Sequence, residues 1–351
     1  MKKTVFLLPK EVNPTTGGQQ YDIHFMETIK QFESNTEVVT DTKLAWNPGI
    51  SILYNIIYLF QLKTFLSANI IITNSRLYPR LFFFVLFLKC LGKKTKLICI
   101  HHHYNFLTQV GIKRVIIKFL EIKFLKLFHC VIIPSKYVKS LSEQFLEKSK
   151  IHLLEIGFDK NTNSLQNKTT HNKLLYVGTI EKRKGIHLLL EALNQVKGEY
   201  ELNIIGKYVP NDQYYLSLID MLKRFKLEKK VFFRGRVSDQ DLHSYYSNSS
   251  LFVFPSLHEG YGMVLIEAMS YGLPVIAFNN SSMPYIIQNN QNGYLIEDKN
   301  TSEFGIRINE LLRSPEKLEL FNRNALSTFK NARSNEDLDL DIKSFYNKLN
   351  K

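Results

Sequence analysis

Pro255–Gly272 reads PSLHEGYGMVLIEAMSYG. The apolar run LFVF at Leu251–Phe254 leads into it and PVIAF at Pro274–Phe278 follows. The chain is therefore expected to leave a buried strand, turn through His258, Glu259, Gly260, Tyr261 and Gly262, and enter a helix beginning near Met263. Glycines at such a turn let the backbone approach a ligand, and the first helical turn, with Met263 and Val264, offers unpaired N–H groups to an anion. The spot suits phosphate. Glu259 in the loop and Glu267 in the helix stand eight residues apart, and carboxylates there can accept hydrogen bonds from sugar hydroxyls beside a phosphate. Helix capping alone is the plainer account of the same residues.

Outward from this stretch, short β-rich apolar runs alternate with helical patterns. In the first half these are VFLL (Val5–Leu8), NIIIT (Asn69–Thr73), KLICI (Lys96–Ile100) and CVIIP (Cys130–Pro134), with a helix from about Tyr21 to Ser34. The alternation resumes with KLLYVG (Lys173–Gly178), ELNIIG (Glu201–Gly206), KVFFRG (Lys230–Gly235) and the two runs around the opening stretch. Continuous apolar strands separated by helices predict parallel sheets buried on both faces, and two series predict two α/β domains. The polar stretch at 160–173, KNTNSLQNKTTHNK, is the expected connection. Domains are thus expected at 1–160 and 161–335, followed by an amphipathic C-terminal helix within 336–351 that packs back toward the first.

The length of 351 residues agrees with two domains, and 44% hydrophobic against 22% charged residues excludes a disordered chain. Cys90, Cys99 and Cys130 are odd in number, lie in apolar stretches and have no metal-like spacing, so neither a disulfide framework nor a zinc site is expected, and a reducing cytoplasm is the simplest compartment. The start, MKKTVFLLPKEVNP, is too short in apolar residues for a secretory signal. The longest apolar run, Leu81–Leu88, falls far below the roughly 20 residues of a membrane span.

A second motif, VGTIEKRKGIHLLLEAL (Val177–Leu193), also runs from strand to helix. Its loop carries Lys182, Arg183 and Lys184 before Gly185, and cations there can neutralise a diphosphate leaving group in place of a metal ion. Gly17 and Gly18 sit between the first strand and the first helix. HHHY follows the KLICI strand; neighbouring residues on an extended chain point to opposite faces, so the three histidines cannot chelate as a trio, and no metal is expected.

The opening stretch, with its flanking Pro-Ser, Gly-Tyr-Gly, Glu-Ala-Met and Gly-Leu-Pro-Val, closely resembles the glutamate, seven residues, glutamate signature of retaining glycosyltransferases of family 4, which have the GT-B fold. IGFD (Ile156–Asp159), Gly235–Ser256 and NQNGYLIE extend the resemblance over most of the chain. It implies two Rossmann-like domains with parallel sheets facing a central cleft, and sugar transfer from a nucleoside diphosphate donor with retention and without an obligatory metal or other cofactor. It implies that Glu259 holds the donor sugar and Glu267 the ribose. Lys184, Gly178, Thr179, Arg183, Gly260, Tyr261, Gly262, Met263 and Val264 would line the donor site, Gly17 and Gly18 the cleft backbone, and His101 or His102 would face the reacting sugar. Two departures stand out. Thr179 occupies the usual place of an arginine, which leaves Arg183 as a substitute or a surface charge, and SSMPY puts Tyr285 where an acid is usual.

The net charge of +14 is concentrated: residues 61–150 hold 16 Lys and Arg against 3 Asp and Glu. Within them IKRVIIKFLEIKFLKLF (Ile112–Phe128) is helical in period. Ile116, Leu120, Phe124 and Leu127 form the stripe expected to enter the core, while Val115, Phe119 and Ile122 share the other side with Lys118, Lys123 and Lys126. Lysines beside exposed apolar groups suit an interfacial helix on an anionic membrane. The expected function is thus a cytoplasmic glycosyltransferase, peripheral on the inner face of the cell membrane, acting on a glycan or lipid-linked acceptor in bacterial surface polysaccharide synthesis. A catalytically silent GT-B membrane scaffold and a basic nucleic-acid-binding protein are the alternatives, the latter without any nucleic-acid motif.

Overall fold

The computed structural model describes residues 2–9, 16–41, 58–91, 94–160 and 172–350. It comprises two compact units, Met1–Phe158 with Arg333–Lys351, and Asp159–Ala332. Residues 161–171 of the expected polar connection lie outside the described residues.

Unit 1 runs β1 (Thr4–Pro9), α1 (Gly17–Phe32), β2 (Thr36–Asp41), α2 (Leu62–Ser67), β3 (Ile70–Asn74), α3 (Tyr78–Cys90), β4 (Lys96–Ile100), α4 (Gly111–Lys126), β5 (Cys130–Ile133), α5 (Lys136–Ser142) and β6 (Ile151–Leu153). Unit 2 runs β7 (Lys173–Val177), α6 (Ile186–Leu193), β8 (Glu201–Ile205), α7 (Gln213–Arg224), β9 (Val231–Gly235), α8 (Asp239–Ser247), β10 (Leu251–Phe254), α9 (Met263–Ser270), β11 (Val275–Phe278), β12 (Gly293–Ile296), α10 (Thr301–Arg313) and α11 (Pro315–Asn331). The chain then returns to unit 1 as α12 (Asn335–Asn350).

Each unit holds one six-stranded sheet, ordered β2-β1-β3-β4-β5-β6 and β12-β11-β10-β7-β8-β9, and all pairings are parallel. Central strands are sealed on both faces. Phe6, Ile72 and Ile98 lie in register across unit 1 with no exposed surface, as do Leu175, Phe252 and Val275 in unit 2. This is the doubly wound architecture expected from unbroken apolar runs. In such sheets ligands bind beyond the carboxyl ends of the strands where the order reverses, here between β1 and β3 in unit 1 and between β7 and β10 in unit 2.

Helix α12 packs along α1. His24 Nε2 lies 2.9 Å from Asp339 Oδ1, the Tyr346 hydroxyl 2.5 Å from that of Thr4, and the Phe32 and Tyr346 rings meet edge to face at 5.4 Å. The first helix starts earlier than expected, so that Gly17 and Gly18 form its first turn. Helix α4 corrects the expected core stripe. Phe124 is buried, but Ile116 and Leu120 are exposed, and the face turned inward carries Glu121, Phe124 and Leu125. The Glu121 carboxylate accepts hydrogen bonds from the backbone N–H and side-chain amide of Asn105 and from the N–H of Phe106. That residue therefore spends a core position on fixing the turn that follows the histidines. With it turned inward, the helix's first two turns have little to pack against.

Candidate active site

In unit 2, two strand-to-helix loops flank the reversal of strand order: Gly178–Gly185 after β7 and Pro255–Gly262 after β10. They touch at Gly185. Its φ is +70°, and a Cβ there would stand 2.0 Å from the Pro255 carbonyl oxygen, so only glycine lets the first loop lie on the second. The contact delivers the basic turn Lys182–Lys184 to the start of the Glu259 loop, where the N–H of Leu257 donates to the carbonyl of Arg183 at 2.9 Å.

The side chains converge on one oxygen. Glu259 Oε1 accepts from Lys184 Nζ at 2.6 Å, from Ser256 Oγ at 2.7 Å and from Arg183 Nη1 at 3.2 Å. The Lys184 and Glu259 side chains are 11% and 12% exposed, so this is a nearly dry ion pair at the mouth of the sheet. Burial alone would raise the Glu259 pKa, but the charges of Lys184 and Arg183 and the hydrogen bonds to it prevail and hold it at about 2. Arg183 also donates to the His258 carbonyl at 2.5 Å and to Glu181 Oε1 at 2.7 Å. Thr179 Oγ1 bonds the same Glu181 oxygen at 3.2 Å. His258, whose Nδ1 lies 2.9 Å from Ser281 Oγ, is pushed down to about 4 by burial and stays neutral.

Gly260, Tyr261 and Gly262 carry the loop to the first turn of α9, whose Met263 and Val264 are half-buried. Glu267 lies one turn further along. Burial pushes its pKa up, and it accepts a hydrogen bond from Tyr246 at 3.3 Å, with Tyr246 stacked on Tyr271 at 4.9 Å. Tyr285 is half exposed on a short turn after β11.

In unit 1 the same topological position collects a different set. His101 and His102 leave the end of β4 on opposite sides. The His101 ring is buried, its Nδ1 is 3.0 Å from Ser75 Oγ, and its Nε2 meets no partner among the described residues; burial, then the charges of His103 and His102, drives its pKa well down. His102 Nε2 lies 2.8 Å from Asp22 Oδ1, and Asn74 donates to the other Asp22 oxygen. A Cβ on Gly18 would come within 3.4 Å of the His102 ring. No group of three or more His, Cys, Asp or Glu among the described residues is arranged to hold a metal ion.

Sequence reasoning singled out Lys184, Glu259, Arg183 and the two histidines but not Asp22, Asn74, Ser75 or Ser256 as their partners. Ser256 stood inside the opening motif. The others lie 26 to 80 residues from the groups they bond, joined only by strand order.

Two doubly wound units in tandem, with basic and acidic loops meeting at the second switch point, define a GT-B protein. HepE of Anabaena, solved in complex with UDP and glucose, superposes with a TM-score of 0.79 at 17% identity, over 99% of this chain and 100% of that one. Residues 157–328, about half of the chain, match the family model described as glycosyl transferases group 1. An uncharacterized 41.2 kDa protein in the cps region of Klebsiella pneumoniae is 30% identical over 224 residues, 59% of this chain and 60% of that protein. The capsular polysaccharide biosynthesis glycosyltransferase CapM of Staphylococcus aureus is 28% identical over 228 residues, 60% of this chain and 58% of that protein. The chain thus spans about 60% of the length of these relatives.

Proposed function

We propose that this chain is a retaining glycosyltransferase that moves a sugar from a nucleoside diphosphate sugar to a glycan or lipid-linked acceptor in bacterial surface polysaccharide synthesis. The observation that carries the reading is the convergence of Lys184, Arg183 and Ser256 on Glu259 beside the first turn of α9. Names of relatives in capsule formation support the pathway, and the complex of HepE with UDP and glucose supports the donor class.

In this reading Lys184 and the α9 amides take the diphosphate, since an ammonium and a helix N-terminus both favour the charge that grows on it as the bond to sugar C1 breaks. The acceptor oxygen bonds C1 on the face that the diphosphate leaves, and the acceptor's hydroxyl proton balances the charge of the departing group. Glu259, ionised at any physiological pH, accepts from the hydroxyls of the transferred sugar. Glu267 accepts from the ribose. Unit 1 serves the acceptor, with His101 and His102 as candidate contacts and Gly17–Gly18 as backbone lining. The reading requires no metal, because the cations of unit 2 supply the charge.

The basic quarter is assigned to an anionic membrane. Along α3 and α4, Phe83, Phe87, Ile112, Val115, Ile116 and Phe119 are all at least 40% exposed, interleaved with exposed Lys118, Lys123 and Lys126. No helix among the described residues is long and apolar enough to cross a membrane, so the attachment would be peripheral.

A thermal-shift screen of nucleoside diphosphates and nucleotide sugars tests the donor site, since a ligand of the folded state raises its melting temperature. Transfer from the donor so identified should be lost in Lys184→Ala and Glu259→Ala; full activity in either would overturn the assignment. Sedimentation with anionic vesicles at low salt tests the membrane surface, and no binding there would refute it.

A further inference from the structure

Among the described residues, Arg183 makes more hydrogen bonds to protein than the other cations of these two loops. Both hydrogens of its Nη1 are taken, one by the His258 carbonyl at 2.5 Å and one by Glu259 at 3.2 Å, while Nη2 donates to Glu181 at 2.7 Å. Its own carbonyl accepts from the N–H of Leu257 at 2.9 Å. The residue therefore grips the Glu259 loop through both main chain and side chain, and its guanidinium is held between two carboxylates. Only a planar fork with several donors can make these three bonds at once; a lysine ammonium at the same place could not span them. Lys184 differs. It makes one bond to Glu259, at 2.6 Å, and its ammonium lies over the Phe254 ring, 5.1 Å from the centroid, with donors left for a further anion.

We propose that Arg183 is a positioning residue for Glu259: it orients the carboxylate that meets the donor sugar and leaves the diphosphate to Lys184 and the first turn of α9. The proposal rests on the donor-site reading given above. It divides the two adjacent cations by task, one facing the protein and one facing the ligand. A diphosphate ligand and a positioning residue have different signatures. Loss of the former weakens nucleoside diphosphate binding, whereas loss of the latter spares that binding and lowers turnover of the nucleotide sugar.

The experiment compares wild type with Arg183→Gln, Arg183→Lys, Glu259→Gln and the double variant Arg183→Gln/Glu259→Gln. The probes are UDP, GDP, ADP and dTDP, of which the tightest is titrated calorimetrically, and kcat is then measured with its sugar conjugates. Both Arg183 variants should bind the diphosphate within about threefold of wild type while kcat falls about 10- to 100-fold, the loss expected for a charged hydrogen bond. The double variant should be no slower than Glu259→Gln within about threefold, because the two residues act as a unit. A tenfold or greater loss of diphosphate affinity in Arg183→Gln, restored in Arg183→Lys, would overturn the proposal in favour of direct phosphate contact. So would a wild-type kcat in Arg183→Gln. If Arg183→Gln fails to fold, Arg183→Lys decides by the same kcat criterion, and failure of both to fold would leave a purely structural staple and refute the assignment. Failure of the underlying reading has its own mark: Lys184→Ala would then bind the diphosphate normally and Glu259→Gln would turn over normally, whatever Arg183 does.

Discussion

Replacing Gly185 by alanine tests whether the contact between the loops after β7 and β10 is as tight as the geometry requires. The new Cβ would stand 2.0 Å from the Pro255 carbonyl oxygen and 3.0 Å from its carbon. That neighbour is backbone at the end of a fully buried central strand, so it can yield only if β10 or the loop moves. The φ of +70° adds about 1 kcal/mol for a residue with a Cβ. Relief of the overlap costs about 2–3 kcal/mol, the usual range for overpacking a well-packed site. The total of about 3–4 kcal/mol corresponds to about 6–16 °C in the melting temperature of a domain of this size. Gly198→Ala is the internal control. Its φ is +93°, but nothing lies within 4 Å of the added Cβ, so only the backbone term remains, about 2–4 °C. The reduced unfolded-state entropy of alanine is common to both and cancels in the comparison. Scanning calorimetry of the two variants, with nucleotide-sugar turnover measured in parallel, reads the difference. Equal melting temperatures together with wild-type turnover in Gly185→Ala would refute the claim that glycine is needed for Lys184 to reach Glu259.

Three other outcomes follow from the same structure. Glu259 has a folded-state pKa of about 2 against 4.5 for the free side chain, so its contribution is complete above the unfolded value and is lost as pH falls toward the folded one. Between pH 5 and pH 3 the wild type should lose on the order of 2 kcal/mol more stability than Glu259→Gln by urea denaturation; parallel pH profiles would contradict the ion-pair geometry. Glu121→Ala removes the acceptor of three hydrogen bonds and should cost about 2–3 kcal/mol in urea denaturation while speeding proteolysis near Asn105–Thr108. Ile112→Asp with Phe119→Asp, both at exposed positions, should leave the melting temperature within about 2 °C and reduce anionic-vesicle binding at least tenfold.

The strands missed in the sequence share one property. β2, β6 and β12 are all at sheet edges. An unbroken apolar run identifies a strand covered on both faces, and an edge strand such as TEVVTD, in which only Val38 and Val39 are apolar, offers no such run. The glutamates, Lys184 and the glycine turns were legible because they lie within short motifs at strand ends. The Asp22, Asn74 and His102 cluster was not, since its members come from α1, β3 and the end of β4 and are neighbours only through the sheet order. Helix α4 misled for a different reason. Periodicity gives a helix its faces but not which one is turned inward, and the inward face here contains a glutamate that a hydrophobic pattern discounts.

The return of α12 to unit 1 fixes an order of events during synthesis. Residues 159–332 form a compact unit that is complete before the residues of α12 emerge from the ribosome, whereas unit 1 must wait for them across an intervening domain. Until then the surface of α1 that receives Asp339 and the Thr4 hydroxyl that meets Tyr346 lack their partners. The unit translated first is therefore the last to be finished, and a ribosome stalled near residue 333 would release a chain whose second unit is complete while its first is still open.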